Sequence, residues 1–498
     1  MKRRFRIAAG VLAAVWLALL VYHLEKPLPD GISVDGPARP ASGIEFLHDL
    51  SFRLEGQPVV EQEIFDRVLS MIDAAEEFVV IDMFFFNGLH RGERDYPALS
   101  SEMTDHLFSR RASNPELKAT VITDEINNFY GAYTGAELQR LEEGGVQVIT
   151  TRLSRLRDSN PAYSAGWRML ASWLGTVGPR WLPNPFSGIT PKVTARAYLK
   201  ALNFKANHRK LIVTDKGCLL TSANPHDASG FHSNIAFAGT GPICADLLEG
   251  ERAVAAFSGG SVENWPRYEG VGVEHSGTGK TPAFGTPTGR GGLGQLGDPI
   301  EGEGTVQLVT EGKIRTALLG ELGSVGPGDR VDLAMFYLSE RQVVEGLLEA
   351  DGRGASLRLV LDPNKDAFGR EKGGIPNRQV ARELVTRSDG RIAVRWYDTH
   401  GEQFHTKLLM VTRGESVVVM GGSANLTRRN IGDYNLEADL RFVLPRQAPL
   451  ASSTTTYFDR IFTNRGGDFT LPFEAYRDDG WVKRVLYRLE EFTGFCSF

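Results

Sequence analysis

The sequence predicts an α/β protein built of two repeated halves behind an N-terminal membrane-spanning helix. Three observations predict it. A His-x-Lys strand followed one hairpin later by Ser-Ala-Asn occurs twice, the strand and helix pattern ahead of each copy repeats as well, and the chain opens with a basic tail and a long apolar run. At 498 residues, 42% of them apolar and 23% charged, the composition is that of an ordinary globular chain with ample core. Length alone suggests about three units. The repeat reduces them to two.

At the N-terminus, Lys2, Arg3, Arg4 and Arg6 precede an uncharged run from Ile7 to Tyr22, closed by Glu25 and Pro27. At about 1.5 Å per residue the run spans about 24 Å, short but workable for a bilayer helix. A cleaved signal peptide is the competing reading. No small-x-small site follows the apolar core, where Leu-Val-Tyr-His-Leu-Glu stands, so residues 1–27 read as an uncleaved anchor. Its positive flank stays cytoplasmic, which places the body on the far side of the membrane.

The first half is expected over residues 43–258. Phe65, Val68, Leu69 and Ile72 have helical spacing, Val79 to Met83 and Ala119 to Asp124 read as strands, and Gly144-Gly145 closes a helix. The first motif reads His208-Arg-Lys210-Leu-Ile-Val-Thr-Asp215 and continues to Ser222-Ala-Asn224. Residues i and i+2 of a strand share a face, so His208 projects with Lys210, and Ser222 with Asn224. Asp215, seven residues after His208, falls on the opposite face and reads as structural.

Residues 259–304, rich in Gly, Thr, Pro and Ser, read as an exposed linker. Within it Ser276 to Thr281 resembles the tail of a phosphate loop, but Glu274 occupies the position of the first Gly and Pro282 follows, so that reading is set aside. The second half is expected over residues 305–498. Val331 to Met335 repeats the pattern of Val79 to Met83, Leu357 to Asp362 that of Ala119 to Asp124, and Val343, Val344, Leu347 and Leu348 mark a helix ended by Gly352. The second motif reads His405-Thr-Lys407-Leu-Leu-Met-Val-Thr412 and continues to Ser423-Ala-Asn425. Met83 and Met335 lie 252 residues apart but His208 and His405 only 197, so the first half carries an insertion of about 50 residues between Thr150 and Phe204. The insertion holds Tyr163, Trp167, Trp173, Trp181 and Phe186, with Met169, Leu170 and Leu174 at helical spacing, and Trp481 to Phe492 is also amphipathic. Such segments either pack in a core or dip into a membrane interface.

Charge limits the partners. Without the four basic residues of the tail, 52 Lys and Arg stand against 61 Asp and Glu, a balance of about −9 for the body. That lacks the basic footprint of nonspecific nucleic-acid binding. Cys218, Cys244 and Cys496 are widely scattered and read as free thiols.

The paired motifs resemble the phospholipase D superfamily, whose signature is His-x-Lys-x4-Asp followed by Gly-Ser-x-Asn, once in each of two halves. The resemblance covers the chain from about Gly43 onward. Two departures stand out: Thr412 replaces the second Asp, and Thr221 the Gly before Ser222. The stretches Asp158 to Pro161, Asn203 to His208 and Asp362 to Phe368 are similar to those of bacterial cardiolipin synthase-like membrane proteins. The resemblance implies two α/β/α sandwich halves with mixed sheets and one site at their pseudo-twofold interface. A single chain then supplies both motifs, as a pseudo-dimeric monomer.

A phosphodiester resists attack, so its site needs cations and donors for the charge that builds on the phosphorus oxygens. Lys210, Lys407, Asn224 and Asn425 suit that task. One imidazole attacks phosphorus to give a phosphohistidine, and the other protonates the leaving oxygen. No cofactor or metal is implied, since each His sits two residues from a lysine that repels a divalent cation. In two-domain relatives the nucleophile comes from the first half, oriented by an acidic residue from the second. The matching position is Glu437, whereas the corresponding place in Ser233-Asn234-Ile-Ala236 holds Ala. His208 is thus the expected nucleophile and His405 the general acid and base, with Asp215, Ser222 and Ser423 in supporting roles and the orientation of His405 unexplained. His226, His232, Asp227, Arg428 and Arg429 are candidates for the cleft mouth or for capping, Glu402 and Gln403 for head-group contact, and His400 for a loop position. The expected activity is transfer or hydrolysis of a phosphatidyl group. The alternatives are a tethered nuclease of the same superfamily and a noncatalytic lipid-binding scaffold.

Overall fold

The computed structural model describes residues 2–90, 95–187, 191–270, 304–367, 370–371 and 373–495. The phosphate-loop-like segment 276–281, most of the expected linker and Cys496 lie outside the described residues.

Helix α1 (Lys2–Glu25) and the short β1 (Arg39–Pro40) open the chain. The first half follows as β2 (Ile44–Leu54), β3 (Gln57–Glu61), α2 (Ile64–Ala74), β4 (Phe78–Met83), α3 (Leu99–Ser113), β5 (Lys118–Thr123), α4 (Ala136–Glu143) and β6 (Gln147–Thr150). It continues through α5 (Pro161–Leu170), α6 (Ala195–Ala201), β7 (Lys210–Thr214), β8 (Gly217–Thr221), β9 (Asn234–Gly239) and α7 (Pro242–Ser258). The second half begins β10 (Thr305–Thr310), α8 (Gly312–Gly323), β11 (Arg330–Met335), α9 (Arg341–Gly352), β12 (Ser356–Leu361), β13 (Asp366–Ala367), β14 (Arg370–Glu371) and α10 (Asn377–Arg387). It ends β15 (Ala393–Tyr397), β16 (Lys407–Arg413), β17 (Ser416–Gly422), α11 (Arg428–Ile431), β18 (Ala438–Pro445), α12 (Pro449–Thr463), β19 (Thr470–Pro472) and α13 (Trp481–Thr493).

The two sheets repeat one topology. The first runs β3-β2-β9-β8-β7-β4-β5-β6 and the second β1-β10-β18-β17-β16-β11-β12-β15-β19. In each, the strand that follows the His-x-Lys strand in sheet order, β4 or β11, pairs parallel with its outer neighbour and antiparallel with the motif strand. Both sheets are therefore mixed, and the central strands are buried along all or most of their length, which is why they read as apolar runs. Helices cover the outer faces. In α2, Ile64, Val68 and Ile72 point inward at four-residue spacing, and Val343, Val344 and Leu347 of α9 do the same in the second half. The inner faces share one core, where Phe237 of β9 meets Phe442 of β18 at 4.9 Å between ring centroids.

Helix α1, at about 1.5 Å per residue, is about 36 Å long. It is long and apolar enough to cross a membrane, and none of it is buried in the protein. It leans on the first-half insertion: the Trp16 indole donates to Ala162 O at 3.1 Å, and Asp158 N donates to His23 O at 2.9 Å. In the insertion α5 stops at Leu170 and a separate short turn carries Ser172–Leu174, so the apolar spacing expected through Leu174 spans two elements.

One expectation is corrected. Cys218 and Cys244 are not free thiols but a disulfide. Cys218 sits on β8 and Cys244 in the first turn of α7. Because β9 returns alongside β8 and α7 starts directly after it, the two Cα atoms lie 5.3 Å apart, within bridging range. Scattered spacing in sequence hid a contact made by the hairpin. Protein denatured without reductant should titrate one thiol per chain and, after reduction, three. Cys218→Ala with Cys244→Ala should lower stability by about 3 kcal/mol, read from the denaturant midpoint.

Candidate active site

Each motif histidine is held by the opposite half. His208 N donates to Leu436 O and His405 N to Ser233 O, both at 2.9 Å, while Leu436 N and Ser233 N return bonds to Ala206 O and Gln403 O. The segments just before β9 and β18 thus act as a short parallel strand for the partner motif. Both rings face a cavity of about 570 Å³ between the halves.

The side-chain surroundings repeat closely. Each ring packs on an aromatic that follows the parallel strand, His208 on Phe84 and His405 on Phe336, both at 4.8 Å. Lys210 and Lys407 are wholly buried beneath the rings. Each donates to the carbonyl of its own histidine at 2.7 Å and stands 5.2 Å from the same aromatic. Neither lysine is at the cavity wall, so their charge acts on the site from one layer below. Asn224 and Asn425 do reach the wall. The Oδ1 of Asn224 accepts from Phe85 N at 3.4 Å, whereas the buried Oδ1 of Asn425 has no partner among the described residues.

Behind the rings the symmetry breaks in chemistry but not in position. His208 Nδ1 lies 2.8 Å from Glu437 Oε1, and the carboxylate also accepts from the Ser423 hydroxyl and the Asn430 amide. His405 Nδ1 lies 3.2 Å from Asn234 Oδ1, which accepts from the Ser222 hydroxyl at 3.0 Å. Ser222 N donates to Ile235 O and Ser423 N to Ala438 O, so Asn234 is the counterpart of Glu437. The expectation that Ala236 marks an empty position is therefore corrected: His405 has an orienting partner, an amide rather than a carboxylate. A two-residue difference between the hairpins displaced the register in sequence.

The remaining residues divide. Asp215 caps the far end of the sheet, accepting from Glu76 N, Glu77 N and Phe78 N, which agrees with the opposite-face argument. Thr221 substitutes for Gly by turning its hydroxyl onto Ile235 O. Its counterpart Gly422 has no room for a side chain, because a Cβ there would lie 2.4 Å from Ala438 O. His232, Gln403 and Arg429 line the cavity, and His232 Nδ1 accepts from Gln403 N at 3.3 Å. His226 and Asp227 do not: the first bonds Leu89 O and Ser229, and the second accepts from Ser100 at the start of α3. Arg428 points to Tyr434 and Ser159, Glu402 accepts from His400 N, and His400 lies beside Asp398. Sequence reasoning missed Asn234, Asn430 and the aromatics that pack against the two rings, Phe84 and Phe336. It also missed Asp124 and Asp362, which accept from the backbone N–H of the residue before each histidine, at 2.6 and 2.8 Å.

Burial sets the protonation. It carries both imidazoles well below the ordinary histidine value, aided by the charges of Lys210 and Lys407. It lowers the Lys210 ammonium to about 7, and the Lys407 ammonium well below the usual lysine range, with Lys210 adding repulsion. The same burial pushes the Glu437 carboxyl up to about 8, making it a stronger proton acceptor than a surface glutamate. A neutral His208 whose Nδ1–H donates to Glu437 keeps its lone pair on Nε2. The buried carboxylates of Glu437, Asp82 and Asp124 partly offset the effect of burial on Lys210, and those of Glu437, Asp439 and Asp362 the effect on Lys407. No group of three or more His, Cys, Asp or Glu among the described residues is arranged to hold a metal ion.

The fold and site define a protein of two pseudo-equivalent α/β/α halves that share one paired His-Lys centre. Residues 325–462 match a family model described as cardiolipin synthase, phospholipase D-like domain. The structure is similar to phosphatidylserine synthase of Haemophilus influenzae Rd KW20, with 11% identity and a TM-score of 0.55 over 97% of this chain and 98% of that one. Weaker likenesses are to a polyphosphate kinase of Porphyromonas gingivalis and to Nuc, a phospholipase D family member of Salmonella typhimurium. The kinase match has 11% identity and a TM-score of 0.46, over 91% of this chain and 53% of that one. The Nuc match has 18% identity and a TM-score of 0.26, over 34% and 98%. No curated protein sequence matches the chain. Residues 325–462 thus match a phospholipase D-like domain, and the chain as a whole shares the fold of phosphatidylserine synthase.

Replacing Glu437 with Gln should cut turnover by about 10²-fold or more, whereas Asn234→Ala should cost less because no charge is lost. Steady-state kinetics on the two variants checks the order, and equal losses would remove the distinction between the two orienting groups.

Proposed function

We propose that the protein is a membrane-anchored phosphatidyltransferase or phospholipase acting through a phosphohistidine, of cardiolipin synthase-like type. The observation that carries this reading is the composition of the cavity wall. One side is aromatic, formed by Phe129, Tyr130, Phe186, Tyr198 and Phe204 around the first-half insertion, and suits an acyl or glycerol-ester portion. The histidines and asparagines meet it at the base. No Asp or Glu is among the described lining residues, while Arg429 is, and Lys205 is too with its ammonium already paired to Asp158 at 2.6 Å, so the wall offers the Arg429 cation to an anionic lipid and no counter-ion to an ammonium head group. His232, Ser229 and Gln403 offer hydrogen bonds on the opposite side, which suits a hydroxyl-bearing alcohol.

In this reading the phosphate anion offsets the charges of Lys407 and Lys210 and lets His405 take up a proton on binding; His208 Nε2 then attacks phosphorus as the bond to the leaving oxygen breaks, and His405 delivers that proton to the leaving oxygen. The Glu437 carboxylate stabilises the cationic character of the phosphorylated ring. An acceptor alcohol or water then loses its proton to His405 and displaces the histidine. Asn234, uncharged, leaves His405 free to gain and release a proton, which is the role of a general acid and base. The body lies outside the cytoplasm: the basic flank of α1 stays inside, and the Cys218–Cys244 disulfide suits an oxidising compartment. A nuclease would require a basic groove open to a strand, and the acidic body and aromatic wall do not favour it.

Detergent-solubilised protein incubated with labelled phosphatidylglycerol should yield cardiolipin or phosphatidic acid, absent with His208→Ala plus His405→Ala. Nucleotide release from labelled single-stranded DNA with untouched lipid would sink the reading. His405→Ala should accumulate an acid-labile phosphoenzyme and His208→Ala should form none; the opposite pattern reverses the roles.

The pH dependence has a definite sign. Lys210, lowered to about 7, supplies its charge below that pH and loses it above, so kcat/KM should fall as pH rises through about 7. Bound phosphate stabilises the ammonium, so the alkaline limb of kcat should lie higher. Coincident limbs would assign that titration to another group.

A further inference from the structure

Helix α13 is docked the wrong way round for a soluble protein. Its buried residues are the polar-ended Tyr487 and Glu491, and its apolar residues face outward. The polar side is pinned by specific bonds. Tyr487 Oη donates to Ser339 O at 3.1 Å, the Ser339 hydroxyl donates to Glu491 at 2.8 Å, and Arg428 N donates to the other Glu491 oxygen at 3.2 Å. Arg488 and Lys483 reach Glu383 and Asp478 on its flanks. The outward side carries Trp481, Val482, Val485, Leu486, Leu489 and Phe492, with Trp481 72% and Phe492 83% exposed. A face this apolar on a helix held so firmly by its other side calls for an apolar medium.

The position of the helix identifies that medium. Gly494, just past its C-terminus, packs so closely on Ser159 O that a Cβ there would overlap the carbonyl, and the Phe495 ring lies 5.5 Å from Phe204. Ser159 is the neighbour of Asp158, whose N–H bonds His23 O at the end of α1. The end of α13, the start of α5 and the exit of the apolar α1 therefore converge at one place. The insertion beside them exposes Trp173 at 73% and Val177 at 82%. Phe204, at the same junction, lines the mouth of the catalytic cavity. Arg484 and Arg488 flank the apolar face, as a helix lying among anionic head groups requires.

We propose that α13 is a second membrane contact, lying in the head-group layer of the bilayer that α1 enters and seating the mouth of the cavity on the lipid surface. The occupant of its apolar face is the bilayer. This rests on the membrane-anchored reading above and adds to it a site of attachment in the second half of the chain.

The test uses the full-length protein reconstituted in vesicles of phosphatidylethanolamine and phosphatidylglycerol with brominated acyl chains. The emission difference between wild type and Trp481→Phe isolates Trp481, and bromine should quench it by about twofold or more. The same difference measured in a Leu486→Glu, Leu489→Glu background should be unquenched. In a second arm, the double Glu variant should turn over vesicle phosphatidylglycerol about tenfold more slowly than wild type, yet match it within about twofold on monomeric short-chain phosphatidylglycerol. The monomeric lipid reports folding and the intact active site. An unquenched Trp481 in wild type overturns the proposal even where lipid is turned over. A quenched Trp481 in a protein inactive on both lipids leaves the contact standing and removes the activity assigned above. A detergent-soluble dimer that the Glu substitutions dissociate, with Trp481 unquenched in vesicles, would give the face to a second copy and overturn the bilayer as its occupant.

Discussion

The site exists only because each half supplies backbone to the other. The N–H of each motif histidine is bonded to a carbonyl just ahead of the last inner strand of the opposite half, at Leu436 or Ser233. The next residue along, Glu437 or Asn234, then meets the ring. One short stretch thus fixes both the height of the histidine and the identity of its partner. If the halves slid by a single residue, the carbonyl and the side chain would both be lost, since alternate residues of an extended segment face opposite ways. This makes separate folding of a functional half implausible on geometric grounds: an isolated half has a motif without its orienting group.

A buried ionic cluster reinforces the first of these contacts. Arg209, between His208 and Lys210, is 1% exposed and pairs with Glu251 of α7 at 3.0 Å and Glu311 at the end of β10 at 2.8 Å. The same Glu311 oxygen accepts from Glu437 N, and its other oxygen accepts from Ser33 N. Glu311 adopts φ +46°, a left-handed conformation that costs a non-glycine residue energy and persists where surroundings over-determine it. Asp82 completes the group, its carboxyl pushed well up by burial and by Glu251. Removing one member of such a buried pair typically costs about 3–5 kcal/mol, because the other charge is left without a partner. The cluster is therefore better understood as fixing the register of the two halves than as a source of net stability.

Much of this was legible in the sequence for one reason: the duplication turned weak local signals into a strong one. His208, Lys210, His405 and Lys407 could be read from spacing, and Asp215 could be assigned to structure from its odd offset, because strand periodicity is a local property. What the sequence concealed depends on pairing between distant segments. Asn234 follows Asn224 by ten residues while Glu437 follows Asn425 by twelve, so counting along the chain pointed to Ala236 instead. The disulfide was hidden in the same way, its two cysteines meeting only after β9 has paired with β8. In α13 the amphipathic pattern was plain, but periodicity states only that a helix has two faces. Which face docks was decided by Ser339, Arg428 and Glu383, residues far from it in sequence.

The chemistry differs between halves where the fold does not. The aromatic contacts and the lysine carbonyl bonds have the same lengths in both halves, yet one ring is backed by a carboxylate and the other by an amide. The cavity is similarly lopsided, its aromatic wall coming from the insertion that only the first half carries. These two asymmetries are coupled. On the reading proposed above, a carboxylate behind His208 would favour a cationic, phosphorylated ring, and the aromatic lining near that ring, at Phe84, Phe85 and Phe204, would hold the retained part of a lipid. On the same reading the polar wall near His405, with His232 and Gln403, would serve the departing group and the incoming alcohol. A shared geometry that differs at one orienting side chain and by one insertion is sufficient to give the two histidines different surroundings.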